Sequence, residues 1–471
     1  MAGRGIVAAG HPLTAEAGAG ILRAGGNAVD AALAALLASF MTEPLLTGLG
    51  AGGYMLVAPP GGEPVLLDFM VEAPGHGADP AARGALDAVV VDFGDAVQMF
   101  HIGPASCGVY GMPAGVAAAA ARFGSRPLSD LAAPAIALCR DGVAVNRQQA
   151  YLFELLKPIV ARFRAGAIPR EGDVLRDPQL ADALVRLAAD GAEPFYTGDI
   201  GGAVSDAVLA GGGLLTRADL AAYEAIPREP VRVRYRGREV LTNPPPSAGG
   251  ILIAHALELL ERAPGPPSTA ELVRAMASAQ AARTPEFLEG LAARATRLGS
   301  TTHVSVLDAE GWACGVTTTN GEGSGVAVPG TGIHVNNMMG EQDLSPLGWF
   351  THPPGRRLPS MMAPTVVLDA TGAPELVLGS AGSNRIRSAI LQVIVNVLDR
   401  GLDAQAAVDA PRVHFEDGTV YAEPGVDTAG LTHTVAWFRE RNLFFGGCHV
   451  AERRGFTGGG DPRRGGAVVA A

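Results

Sequence analysis

Apolar positions recur at helical spacing along the first part of the chain. Val29, Leu33, Leu36, Leu37 and Phe40 fall on one face of a predicted helix over 28–40. Asn27, followed by an acidic residue at its third helical position, is typical of an N-cap, and a helix over 13–24 is predicted before it. The same periodicity predicts helices over 127–141, 148–163, 177–187, 201–210, 214–223, 250–260, 269–296 and 384–400.

Alternating apolar and polar positions predict paired strands elsewhere. The pattern gives a strand pair within 231–241, two strands over 365–369 and 375–379, and two more around 416–418. One further pair, Thr301 to Leu307 and Trp312 to Thr319, is joined by a turn over 308–311. Counting residues back from that turn places Thr301 across from Thr318 or Thr319.

Composition narrows the class of protein. The 471 residues carry a formal charge of −11 and 48% hydrophobic residues, which indicates a densely packed acidic protein. This charge argues against nucleic acid and against a membrane surface as partners, and it leaves a small-molecule substrate. No change of composition marks a second, independent domain.

Cofactor and metal signals are weak. The four cysteines are scattered and lack metal-ligand spacing, so we expect them to be small buried residues, with no metal and no cofactor. Residues 48–53 match G-x-G-x-x-G, but a helix precedes the glycines and a strand follows them, the reverse of a dinucleotide site. The first residues lack the apolar stretch of a signal peptide, which predicts a cytoplasmic protein.

A threonine at the open end of a hairpin can carry chemistry. If the bond between Ser300 and Thr301 were cut, the Thr301 hydroxyl would be a nucleophile and its freed α-amino group, which titrates near about pH 7.7–8, would be the base. From the residues alone, an ordinary strand threonine remains an open alternative.

The sequence resembles the gamma-glutamyltransferase (gamma-glutamyltranspeptidase) family of N-terminal nucleophile hydrolases. The resemblance covers nearly the whole chain and is carried by Thr301-Thr302-His303 with its flanking residues, and by segments 25–31, 48–56, 332–337, 360–365 and 379–382. It implies an α+β fold, the four-layer αββα sandwich. It also implies self-cleavage before Thr301 into fragments 1–300 and 301–471, which stay together as a heterodimer; a dimer of such heterodimers is left open.

The resemblance also implies roles for individual residues. Thr319 matches the threonine that orients the nucleophile. Gly382 and Ser383 match two consecutive glycines whose amides hold the oxyanion, and Ser383 departs from the second glycine. Because the amide belongs to the backbone, the role is compatible with serine.

The positions that hold a gamma-glutamyl group in the family are altered here. Met70 stands where an arginine binds the α-carboxylate, and Ser360-Met361 replaces a pair of serines. Met338 and Glu341 align with the glutamine and aspartate that hold the α-amino group, and Asn320 lies near a further asparagine. We therefore expect an adaptable apolar pocket and an amide or acyl substrate other than glutathione.

Two alternatives to this activity stay open. Some homologues in antibiotic biosynthesis cleave a C–C bond, removing an α-keto or oxalyl-type side chain from a pyrroline intermediate with the same nucleophile. The chain could also be an unprocessed, non-catalytic relative that acts as a binding protein. Whether water or an amine accepts the acyl group is not decided by the sequence.

Overall fold

The computed structural model describes residues 4–92, 97–164, 166–282, 301–341, 344 and 348–471. Its helices span Pro12–Arg23 (α1), Ala28–Thr42 (α2), Met112–Phe123 (α3), Leu128–Asp141 (α4), Arg147–Leu155 (α5), Lys157–Phe163 (α6), Pro178–Asp190 (α7), Glu193–Tyr196 (α8), Asp199–Ala210 (α9), Arg217–Ala221 (α10), Ala248–Glu261 (α11), Thr269–Ala281 (α12), Arg385–Leu398 (α13) and Ala404–Asp409 (α14). The predicted continuation of α12 to residue 296 lies outside the described residues.

The strands occur singly or in groups between these helices. They span Gly5–Ala9 (β1), Gly52–Ala58 (β2), Val65–Phe69 (β3), Asp87–Asp92 (β4), Val97–Ile102 (β5), Val143–Ala144 (β6), Val174–Leu175 (β7), Ile226–Arg228 (β8), Val231–Tyr235 (β9), Arg238–Thr242 (β10), Thr301–Asp308 (β11), Ala313–Thr319 (β12), Ala327–Val328 (β13), Ile333–His334 (β14), Thr365–Leu368 (β15), Pro374–Ala381 (β16), Val413–Glu416 (β17), Thr419–Ala422 (β18), Thr434–Trp437 (β19), Gly447–Glu452 (β20), Thr457–Gly459 (β21) and Ala467–Ala470 (β22).

The first helices form as their caps predict. Asn27 accepts hydrogen bonds from the amides of Val29 and Asp30, while the Asp30 carboxylate accepts from the Asn27 amide. This reciprocal capping box satisfies amides that the first turn of α2 would otherwise leave without partners. All fifteen residues of α2 are buried, so the helix runs through the core.

One predicted helix is wrong. The pattern over 148–163 predicts a single helix, but the structure has two, α5 and α6, which meet at Leu156. Pro158 lies in the first turn of α6, where its missing amide proton costs nothing, whereas inside a continuous helix it would remove a hydrogen bond.

Two large antiparallel sheets organise the fold. The seven-stranded sheet has the order β22-β1-β11-β12-β2-β3-β8, and the six-stranded sheet has the order β21-β20-β16-β15-β10-β9. The hairpin β11–β12 lies near the middle of the seven-stranded sheet. Its register pairs Thr301 with Thr319 and Thr302 with Thr318, which confirms the predicted pairing.

Side chains of β11 alternate between two environments. Val304 and Val306 pack into the core that contains α1 and α2, whereas Leu307 packs into the core that contains β15, β16 and α13. The ring of His303 lies so close to Gly379 of β16 that a Cβ at that glycine would collide with it. One face of the hairpin therefore meets α2, and the other meets the six-stranded sheet.

Most of the remaining helix and strand predictions agree with the structure, but the helix predicted over 214–223 is confined to Arg217–Ala221. A Cβ at Gly50, Gly52 or Gly53 would collide with backbone atoms of neighbouring segments, so these glycines permit close backbone approach. All four cysteines are buried with free thiols, as expected for small core residues. Within the described part of the chain, none of the helices combines the length and the apolar character needed to cross a membrane.

Candidate active site

The hairpin places Thr301 and Thr319 side by side at its open end. Both residues are buried, and both line one pocket. The Thr319 hydroxyl oxygen accepts a hydrogen bond from the Gly321 amide at 2.9 Å, which fixes this side chain as the chain leaves β12. The nucleophile candidate therefore has a second hydroxyl as its cross-strand neighbour.

The turn between β16 and α13 forms another wall of this pocket. Ser383 lines it, with a φ of 51°, and the preceding Gly382 has a φ of 113°. The carbonyls of Gly382 and Ser383 accept hydrogen bonds from Arg385 and Ile386 at the start of α13. The two residues thus occupy the N-terminal end of a fourteen-residue helix, where backbone amides favour negative charge.

The acyl-pocket candidates come from two separate loops. Met338 and Glu341 follow two asparagines whose side chains fix the loop: Asn337 Oδ1 accepts from the amides of Glu322 and Gly323, and Asn336 Oδ1 accepts from Met338. This network explains why the segment keeps its shape although only short strands border it.

The second loop carries Ser360 and Met361. The Ser247 hydroxyl, at the start of α11, contacts the carbonyl oxygens of Ser360 and Met362 at 2.9 and 2.8 Å. The Ser360 hydroxyl oxygen accepts from the Met362 amide at 3.0 Å. Ser360 therefore holds its own loop while it lines the pocket.

Seven of the predicted site residues line one pocket. They are Thr301, Thr319, Met338, Glu341, Ser360, Met361 and Ser383. Gly321, Leu344, Met362 and Ile386 also line it and were not predicted. Two of these could have been predicted from the sequence, because Met362 follows Met361 and Ile386 lies shortly after the Gly382 turn.

Three predicted residues are not among those lining the pocket. Gly382 is the buried residue before Ser383. Asn320 is buried directly after β12, with its Nδ2 3.4 Å from the His334 carbonyl oxygen. Met70 is fully buried in the same core cluster as Met338 and Met361. Ser300, the residue before the predicted cut, lies outside the described residues.

An arginine lies near Met70, but acidic residues surround it. Arg357 is buried, donates to the Met70 carbonyl and to the Tyr223 hydroxyl, and lies 3.2 Å from the Glu72 carboxylate and 3.9 Å from that of Asp68. Burial acts to lower the pKa of Arg357, but Tyr223, Asp68 and Glu72 together outweigh it and raise that pKa. Its charge is therefore compensated within the protein.

A buried histidine, His303, lies within β11 two residues after Thr301. His303 Nδ1 lies 2.7 Å from the Thr317 hydroxyl, and Nε2 lies 2.8 Å from the Ser305 hydroxyl. Burial lowers the pKa of His303 well below its ordinary value, and the nearby His449 lowers it further. Because both ring nitrogens are engaged by hydroxyls of the seven-stranded sheet, His303 links β11 to β12 and does not serve as a base for Thr301. Among the described residues, no group of three or more His, Cys, Asp or Glu could hold a metal ion.

Comparison with known proteins identifies relatives over most of the chain. The chain is 33% identical to acylase ACY 1 proenzyme from Pseudomonas sp. (strain SE83), over 90% of this chain and 85% of the relative. It is also 33% identical to glutathione hydrolase proenzyme from Escherichia coli (strain K12), over 88% and 81%. The crystal structure of cephalosporin acylase from Bacillus halodurans superimposes with a TM-score of 0.83 and 27% identity, covering 99% of this chain and 96% of the other.

The family assignment agrees with these relatives. The family model described as gamma-glutamyltranspeptidase matches residues 14–287 and 268–471. The chain belongs to the gamma-glutamyltranspeptidase family and is an N-terminal nucleophile hydrolase with an α+β fold.

Proposed function

We propose that this protein is a self-processing N-terminal-threonine hydrolase or acyltransferase whose substrate is an amide or acyl compound other than glutathione. The observation that carries the proposal is the pocket shared by Thr301, Thr319 and Ser383, which joins a nucleophile, its orienting hydroxyl and the helix turn. The flanking sheets and their helices support the four-layer αββα sandwich that this chemistry uses.

Self-cleavage is the first step of the proposed mechanism. The Thr301 hydroxyl attacks the Ser300 carbonyl, the amide nitrogen of Thr301 becomes an amine, and water hydrolyses the resulting ester. The products are fragments 1–300 and 301–471, associated as a heterodimer. The two relatives described above are named proenzymes, which supports maturation by cleavage.

Turnover then uses the same residue twice. The Thr301 hydroxyl attacks the substrate carbonyl while its freed amino group takes the proton and later gives it to the leaving amine. The amides of Gly382 and Ser383 hold the oxyanion, and the loss of one such donor typically costs about 2.7–4 kcal/mol. Water, or a second amine, releases the acyl group from Thr301.

The acyl side of the pocket supports a substrate without an α-carboxylate. Five apolar side chains line it: Met338, Leu344, Met361, Met362 and Ile386. Glu341 is the ionisable side chain among the described residues of the lining, and it would repel a carboxylate. Because Arg357 is held by Glu72 and Asp68, it does not replace the arginine missing at Met70.

Denaturing gel electrophoresis tests the first step of this proposal. Purified wild-type protein should give two bands, whereas Thr301→Ala should give one band of 48.0 kDa and no turnover. An uncut wild-type chain would instead support the non-catalytic binding protein. An active, uncut Thr301→Ala variant would contradict the mechanism.

Substrate choice is tested separately with chromogenic amides. The mature enzyme should hydrolyse hexanoyl-p-nitroanilide with a kcat/KM at least about 100-fold above that for gamma-glutamyl-p-nitroanilide, since a buried, unpaired carboxylate is strongly disfavoured. Brisk hydrolysis of the gamma-glutamyl compound would refute this specificity while leaving self-cleavage intact.

A further inference from the structure

The outer face of the nucleophile strand is held by a buried carboxylate. Thr302 follows Thr301 and therefore points to the opposite face of β11, toward α2. Its hydroxyl donates to Glu43 Oε1 at 2.9 Å, in a buried contact 259 residues apart in sequence. Glu43 is the C-cap residue of α2, and a Cβ at Gly10 would collide with its carboxylate, so the carboxylate has little room to move.

The turn that follows Glu43 also contacts the second strand of the hairpin. The Thr47 hydroxyl lies 2.9 Å from the Thr318 hydroxyl, and the Leu46 carbonyl accepts from the Asn320 amide at 3.0 Å. Thr302 and Thr318 are directly paired across the two strands. The turn 43–47 therefore makes hydrogen bonds to both strands at the end where Thr301 and Thr319 face the pocket.

We infer that Glu43 is a positioning residue for Thr301, which it holds through Thr302 during both self-cleavage and turnover. This inference rests on the proposed function. Because successive strand side chains point to opposite faces, fixing the Thr302 side chain toward α2 fixes the Thr301 side chain toward the pocket. Reactions of this kind lose about 100-fold in rate when the reacting group moves by about 1 Å.

Two near-isosteric changes test the contact from either side. Thr302→Val removes the donated hydrogen bond with little change of volume, and Glu43→Leu removes the acceptor. We expect each to lower the rate of self-cleavage and the kcat of the mature enzyme by about 10- to 100-fold, with KM within about twofold. Thr302→Ser and Glu43→Gln keep a donor and an acceptor, so they should retain about a third of the wild-type rate or more.

Thr14→Val is the matched control. The Thr14 hydroxyl lies 2.6 Å from the Thr42 hydroxyl in a buried contact. Thr42 precedes Glu43 in sequence, but this contact does not involve the hairpin. This variant should lose a comparable amount of thermal stability and yet keep both rates within about twofold of wild type. The double variant Glu43→Leu/Thr302→Val should be no slower than the slower single variant, because the two changes break one contact.

The rate of self-cleavage is measured from gel band intensities after a pulse of in vitro translation. The kcat and KM of the mature enzyme are measured by hydrolysis of hexanoyl-p-nitroanilide. Folded Thr302→Val protein with wild-type rates would overturn the inference, as would rates that fall in Thr14→Val as much as in Thr302→Val. Should Glu43→Leu fail to fold, Thr302→Val decides the question. An uncut, inactive wild type would overturn the proposed function instead, so the two failures are distinct.

Discussion

Ser383 is a non-glycine residue in the left-handed region of backbone conformation, with a φ of 51°. An L-residue there costs roughly 1–2 kcal/mol relative to the ordinary helical region, and glycine does not bear that cost. The sequence alone shows only that a serine stands where the family has a second glycine. The structure supplies the reason for the glycine, namely the sharp turn that ends β16 and begins α13.

Ser383→Gly should therefore stabilise the protein without disabling it. We expect the free energy of unfolding to rise by about 1 kcal/mol, while kcat/KM stays within about threefold because the proposed oxyanion donor is a backbone amide. Chemical denaturation and hydrolysis of hexanoyl-p-nitroanilide measure the two quantities. Ser383→Ala removes the hydroxyl but keeps the strain, so it should give no stabilisation. A Gly variant that is less stable than the Ala variant would contradict this account.

Glu43 should make stability depend on pH in a predictable direction. Burial raises the pKa of Glu43 from an ordinary 4.5 to about 7, while its contact with Thr302 and the charge of Arg464 oppose the rise. The folded protein therefore binds a proton more tightly than the unfolded chain does. Stability attributable to Glu43 is greatest below about pH 4.5 and falls as the pH rises to about 7, by about 3 kcal/mol in total.

Glu43→Gln removes the titrating carboxyl. Comparing this variant with wild type therefore separates the pH dependence caused by Glu43 from that caused by other groups. Urea denaturation at several pH values should show wild type losing about 3 kcal/mol relative to the Gln variant between pH 4.5 and 7. Outside this range, the two curves should run parallel. Parallel curves throughout would show that burial does not shift this carboxyl.

At the scale of elements, the hairpin β11–β12 is the most predictable part of the fold. Alternation and the 308–311 turn give its register directly, since both signals are local.

The carboxylate of Asp308 also has a distant partner that no local pattern shows. Its Oδ1 accepts from the Trp312 amide at 2.8 Å, and its Oδ2 accepts from the Ala28 amide at 2.9 Å, at the N-terminus of α2.

Asp308→Ala should destabilise the hairpin turn and the start of α2 together. The buried Ala28 amide and the partly buried Trp312 amide lose their acceptor, at about 1–3 kcal/mol each, so we expect a loss of about 2–4 kcal/mol in denaturant unfolding. Asp369→Ala is the matched control. Asp369 accepts from the Thr371 and Ala373 amides in the more exposed turn between β15 and β16, so its loss should be under about 1 kcal/mol. Equal losses of stability in the two variants would contradict an added contribution from the hydrogen bond between Asp308 and the Ala28 amide.

The pocket was less predictable than the hairpin, for a physical reason. Helix and strand periods report which face of an element is buried, but not which distant element covers it. Gly321 lines the pocket next to Glu322, whose amide donates to Asn337. Leu344 also lines it, and its carbonyl oxygen lies 2.8 Å from His352 Nε2. Such side-chain contacts between loops leave no periodic signal. Met70 is assigned to the pocket by resemblance alone, and the structure places it in the same core cluster as the pocket residues Met338 and Met361.

At the scale of the whole molecule, the predicted cut would leave two interleaved fragments. In the seven-stranded sheet, β22, β11 and β12 belong to 301–471, whereas β1, β2, β3 and β8 belong to 1–300. The order β22-β1-β11-β12-β2 creates three ladders between fragments. In the six-stranded sheet, the β10–β15 pair makes one more. Each fragment alone would expose several strand edges and both cores.

The processed fragments should therefore stay associated and unfold together. We expect mature protein to elute as a single species in size-exclusion chromatography and to unfold in one cooperative transition, although a denaturing gel separates it into two bands. Fragments 1–300 and 301–471 expressed separately should aggregate, because unpaired edges and apolar faces then meet solvent. Their co-expression should restore a soluble complex. Fragments that separate under native conditions would contradict the interleaved order of strands, because that order requires four ladders to break at once.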